Sequence, residues 1–106
     1  MLFLTYWELN EETSRVQRMQ AGQKLLQTGL FPPAGINIIR WDATVDGWGI
    51  LVAEAEDFTA INRALDAWRI AVPGMFTVTR TAPAQPVQEV MASTAEFMQK
   101  MAAVTG

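Results

Sequence analysis

Apolar and polar residues alternate with two different periods along this chain, and the switches between them mark out its elements. Leu2–Leu9 is rich in aromatic and β-compatible residues and predicts a first strand. Asn10 then stands as a helix cap, with Glu11 and Glu12 in a first turn where the helix dipole favours negative charge. A helical repeat follows through Val16, Met19, Gln23, Leu26 and Leu30 and leaves Arg15, Arg18 and Lys24 to solvent, until Gly29 and Pro32-Pro33 stop it. Ile36–Ala43 and Trp48–Ala55 read as strands joined across Thr44-Val45-Asp46-Gly47, where Asp-Gly fits the type I′ turn of a β-hairpin. Asp57 caps a second helix in which Phe58, Ile61, Leu65, Trp68 and Val72 recur at three and four residues, with Trp68 assigned to the core. A neighbouring stripe of Ala60, Ala64, Ala67 and Ala71 lets that helix lie close to a sheet. Pro73-Gly74 turns the chain into a fourth strand, Met75–Thr81, which Pro83 and Pro86 keep from extending. Pro86 suits the first turn of a third helix, whose seam is Val87, Met91, Thr94, Met98 and Met101, with Phe97 beside it.

The order strand, helix, strand, strand, helix, strand predicts an α+β, ferredoxin-like βαββαβ domain with a four-stranded antiparallel sheet over residues 1–82. Residues 83–106 form a C-terminal helical extension of the same domain. Both faces of that sheet carry apolar bulk. Leu2, Leu4 and Tyr6 oppose Phe3, Trp7 and Leu9; Ile36 and Ile38 oppose Ile39 and Trp41; Ile50 and Val52 oppose Leu51 and Ala53. Two helices cover one face only, so the other must meet the third helix, another subunit, or both. A helix of this length cannot cover four strands, which favours a homodimer with its sheets face to face.

Composition narrows the chemistry. At 106 residues the chain is one domain, and half of its residues are hydrophobic. It contains neither cysteine nor histidine. That excludes disulfides, thiolate nucleophiles and Cys-based zinc sites, and it removes the usual general base and the commonest metal and haem ligand. No cofactor and no metal are expected. The apolar start is too short for a leader or a membrane span, so the expectation is a cytoplasmic protein. The net charge of −3 gives no electrostatic reason to bind nucleic acid or an anionic membrane. Gly47–Val52 and Leu2–Leu4 resemble the strand motifs of RNA-recognition domains, but Asp46 stands where a cation is wanted and Ile50 where an aromatic stacks.

Five residues are candidates for binding a ligand. Arg40, alternating with Ile36 and Ile38 on an inner strand, must pair with a carboxylate such as Glu54 or Glu8, with a partner subunit, or with a ligand's acid group. Glu54 alternates with Ile50 and Val52 and is either a partly desolvated base or a rim residue. Whether the two share a face depends on the hairpin: two- and four-residue loops separate them, whereas a one-residue bulge unites them. Tyr6, Trp41 and Trp48, together with Trp7, build cores and interfaces and can also line a mixed pocket. A ligand would lie between the sheet and the helices or a partner sheet, with Tyr6, Arg40, Trp41 and Trp48 at its polar end. Its walls of Leu, Ile, Val and Met suit an apolar or amphipathic small molecule, such as an acyl chain or an aromatic acid.

Pro32-Pro33-Ala34-Gly35, Arg40-Trp41, Gly47, Glu54, Trp68 and Phe76-Thr77-Val78-Thr79 together resemble the dimeric α/β-barrel superfamily, and within it a family of small bacterial domains of unknown function. That family often has histidine after the Arg-Trp pair, where this chain has Asp42. The resemblance implies a homodimer. It brings in cofactor-independent monooxygenase or isomerase chemistry as the alternative to simple binding, and a structural or accessory dimer as a further one. The absent histidine speaks against haem degradation.

Overall fold

A computed structural model describes residues 1–106, with the elements β1 (Leu2–Leu9), α1 (Arg15–Thr28), β2 (Ile36–Ala43), β3 (Trp48–Ala55), α2 (Phe58–Ala71), β4 (Phe76–Pro83) and α3 (Val87–Thr105). The four strands form one antiparallel sheet in the order β2-β3-β1-β4. This is the ferredoxin-like α+β arrangement expected from the pattern. The three strands β1, β2 and β3 keep the boundaries that the alternation predicts. The fourth begins one residue later and runs on to Pro83, which pairs with Phe3. Because β4 is an edge strand, the missing proline N–H costs no ladder bond. β2 is also an edge strand, not an inner one, so Arg40 stands at the rim of the sheet.

The β2–β3 hairpin closes differently from the expected type I′ turn. Gly47 alone adopts positive φ, at 76°, and no non-glycine residue does, so Asp46 does not supply the second left-handed position. The loop is held by the Thr44 N–H and hydroxyl, both donating to the Trp48 carbonyl. Further along, an extra residue sits between Ile38 and Arg40. This bulge reverses the alternation: Trp41 returns to the same face as Ile36 and Ile38, instead of opposing them.

α1 and α2 cover one face of the sheet. α2 does so as its pattern demands, with Ala60, Ile61, Ala64 and Trp68 buried and Asp57 accepting from the Ala60 N–H at 2.9 Å. Phe58, counted in its seam, is exposed instead, at the first position of the helix. α1 departs further from expectation. Its cap is Ser14, not Asn10, and Glu11 and Glu12 lie in the preceding turn. Its buried residues are Gly22 and Leu25, while Val16, Met19, Leu26 and Leu30 are exposed. The cause is close packing: a methyl group at Gly22 would stand 2.9 Å from the Trp68 ring, so α1 meets α2 through Gly22 and Leu25 and turns its other bulky residues outward.

The core divides into two clusters. One joins Leu25, Phe31, Ala64, Trp68, Val72 and Met75; the other joins Phe3, Ala55, Ala60 and Ile61. The opposite face of the sheet is uncovered. The registers Leu4 with Val52 and Ala82, and Tyr6 with Ile50 and Arg80, put these residues together on it. α3 has no buried residue. The radius of gyration is 17.8 Å, against about 13 Å for a compact chain of this length. The accessible surface is 7557 Å², against roughly 5,900 Å² for a compact monomer of this mass.

Candidate functional site

A cavity of about 580 Å³ opens on the helix-covered side of the sheet. Its floor is mostly aromatic, with Phe31 and Trp68 buried and Trp41 41% exposed. Phe31 stands 5.0 Å from Trp41 and 5.5 Å from Trp68, and Trp41 stands 5.7 Å from Trp68, all measured between ring centres. A second pair, Trp7 and Phe76, lies at 6.3 Å on another wall. Leu51, Ala64 and Met75 complete the buried lining. Gly49, the β3 partner of Trp7, makes room for that indole: a side chain there would collide with the Trp7 ring and the Asp42 carbonyl.

Exposure rises sharply towards the mouth, which is built by the turn into α1, the start of α1 and the tip of the β2–β3 hairpin. Glu11, Arg15, Met19, Thr44 and Val45 line it and all are exposed. Leu9 N–H bonds the Gly47 carbonyl at 2.7 Å and ties the hairpin tip to the end of β1. Arg18 is half-buried and fixes the opposite side of the mouth, where one guanidinium nitrogen donates to the Thr13 hydroxyl at 2.7 Å and to the Thr13 carbonyl at 2.8 Å. Arg15 makes no ion pair and no side-chain hydrogen bond, which leaves its guanidinium free to meet an anion. The one buried polar side chain in the lining, Thr5, is satisfied by the Thr81 hydroxyl at 2.9 Å. The floor therefore presents apolar and aromatic surface, and charge is confined to the entrance.

Of the five sequence candidates, Trp41 alone lines this cavity. Tyr6, Arg40, Trp48 and Glu54 stand on the uncovered face. The bulge does bring Arg40 and Glu54 to one face, Arg40 opposite Val52 and Glu54 one same-face position further along β3. They do not pair. Arg40 bonds Asp42, whose hydrogen bond and charge raise its pKa further. Glu54 lies 3.2 Å from the terminal ammonium of Met1. Tyr6 donates to Glu8 at 2.6 Å, and its ring lies 5.8 Å from that of Trp48 at a tilt of 38°. The hydrogen bond to Glu8, then burial, then the Glu8 charge push the Tyr6 phenol above its ordinary pKa. Glu11, Arg15 and Arg18 were missed as site residues. Their spacing reads as solvated helix surface, and nothing local to them shows that the hairpin tip folds over the same spot.

No group of three or more acidic side chains gathers closely enough to hold a metal ion. No helix is long and apolar enough to cross a membrane. No protein-family model matches the chain, and no curated protein matches it either.

Proposed function

We propose that this chain is a binding domain for a flat apolar molecule bearing one acid group, working as a homodimer of the dimeric α/β-barrel kind that its motifs resemble. The observation that carries the reading is the gradient across one cavity, from an aromatic floor anchored by buried Phe31 and Trp68 to an unpaired arginine at the mouth. A volume of about 580 Å³ falls within the range of small-molecule sites. The aromatic floor would hold a ring system by stacking and apolar burial, and Arg15 would take the carboxylate through charge-assisted hydrogen bonds. Arg18, already bonded to Thr13, positions the rim. Glu11 opposes an anion and so limits affinity.

Binding is favoured over acid–base catalysis because the buried part of the cavity holds no titratable side chain, and those that reach it are solvated at its entrance. Homodimer formation is supported by the uncovered apolar sheet face and the surplus surface.

The test uses two probes that differ only in charge, 2-naphthoate and 2-naphthylmethanol, followed by quenching of tryptophan fluorescence. The acid should bind more tightly than the alcohol. Arg15→Met should weaken 2-naphthoate about tenfold, the low end of the value of a charge-assisted hydrogen bond, and leave the alcohol unchanged. Glu11→Gln should act in the opposite direction and tighten the acid. Equal affinity for both probes in all three proteins would overturn the assignment of Arg15.

A further inference from the structure

α3 is the longest helix of the chain, at 19 residues, and none of it is buried. Val87, Val90, Met91, Phe97, Met98 and Val104 are between 45% and 77% exposed. At 100° per residue these positions, with Thr94 and Met101, fall in an arc about 140° wide. Glu89, Glu96 and Lys100 all project from the opposite side, so the arc can be covered without burying a charge. A two-helix seam uses a narrower stripe; an arc this broad suits a flat apolar surface.

The uncovered sheet face is such a surface. Leu4 and Ile50 are each 43% exposed at its centre, with Leu2 and Val52 beside them. Of its charges, Arg40 pairs with Asp42 and Glu54 with the Met1 ammonium, while Arg80, beside Tyr6 on edge strand β4, is exposed and makes no ion pair. The lengths agree as well. The apolar arc runs about 26 Å along the helix, and an eight-residue strand spans about 27 Å.

The connection between β4 and α3 directs the helix away from its own sheet. The Ala84 N–H donates to the Leu2 carbonyl, so the chain stays along the sheet edge past Pro83. Pro86 then holds φ −53° and ψ 139°, and its ring keeps Gln85 out of the helical region. The resulting molecule measures 59 × 28 × 19 Å.

We propose that α3 docks on the uncovered sheet face of a second copy, each chain lending its helix to the other. The proposal rests on the homodimer reading above but seats a helix where the barrel arrangement would seat the partner's sheet, because one face cannot hold both. Area supports it. Each chain exposes about 1,600 Å² more than a compact monomer would, about twice the roughly 800 Å² that each partner of a standard interface buries. Two exchanged helices account for about 1,000 Å² of such an interface at a helix diameter of 10 Å, and the remaining apolar sheet supplies the rest.

Because the chain has no cysteine, Met98→Cys provides a single thiol for a benzophenone maleimide, a photo-cross-linker that reports whatever α3 touches. The labelled full-length protein is irradiated at micromolar concentration, and its products are sized and mapped by peptide mass spectrometry. The expected result is a covalent dimer joined from position 98 to β1 or β3. A covalent monomer linked to those strands would mean that α3 covers its own sheet, and a dimer linked within 87–105 would mean helix pairing; either overturns the proposal. Sedimentation equilibrium on the unlabelled protein separates the remaining cases. A dimer that gives no link from position 98 to the sheet defeats the helix exchange alone, whereas a monomer defeats the homodimer reading with it. Met91→Glu with Met98→Glu, both on exposed positions, should weaken the dimer at least tenfold while leaving the circular dichroism of the sheet domain intact; unchanged association would also overturn the proposal.

Discussion

Individual residues matter here mainly through the space they leave and the partners they take. Gly22→Ala sets two effects against each other. Alanine gains about 1 kcal/mol of helix propensity, but its methyl group would meet the Trp68 ring, and forcing extra volume into a packed contact costs about 1–3 kcal/mol. Trp68 is wedged against Phe31 and Trp41 and cannot easily move aside, so urea denaturation should show a net loss of about 1 kcal/mol. Trp68→Ala removes the shared wall of core and cavity and should cost about 3–5 kcal/mol. Tyr6 offers a cleaner readout, because it is the only tyrosine in the chain. Its hydrogen bond to Glu8 favours the neutral phenol, so its folded pKa lies above the unfolded value of about 10. The stability it contributes is fully present below the unfolded pKa and is lost as pH rises through the folded one. Absorbance titration at 295 nm should place the midpoint above 10 in the native chain and return it towards 10 in Glu8→Ala. An identical midpoint in both proteins would show that the bond does not form in solution.

At the scale of elements, legibility followed the clarity of the apolar period. α2 and the first three strands were readable because one face or one alternation dominates each. Asp57 is legible as a cap for the same reason, and Asp57→Ala should lower stability by about 1 kcal/mol in denaturant titration, with little change in the spectrum of the native state. α1 is harder to read, because bulk alone does not mark its buried face. Gly22 and Leu25 define the contact with α2, and a lone glycine in mid-helix is the available signal. The bulge after Ile38 is a second such case. Pattern alone left the hairpin register open, and one extra residue decides that Trp41 faces the cavity and Arg40 does not. The candidate site was therefore only partly visible. Its aromatic character could be read from composition, but the convergence of residues near positions 11–18 with those at 44–47 is set by tertiary folding.

For the molecule as a whole, the same sequence shows two apolar surfaces with different fates. One is folded inward between the sheet and two helices, where it encloses a cavity with charge at its mouth. The other, formed by the open sheet face and α3, remains at the surface and is what the homodimer reading uses. The four tryptophans report on both: Trp7, Trp41 and Trp68 line the cavity, and Trp48 lies on the opposite face beside Tyr6. Their indole N–H resonances give four separate signals in a nitrogen–proton correlation spectrum. When 2-naphthoate is titrated into the protein, the signals of Trp7, Trp41 and Trp68 should move together and saturably while Trp48 stays in place. Movement of Trp48 alone, or of none of the four, would contradict the assignment of the aromatic cavity as the binding site.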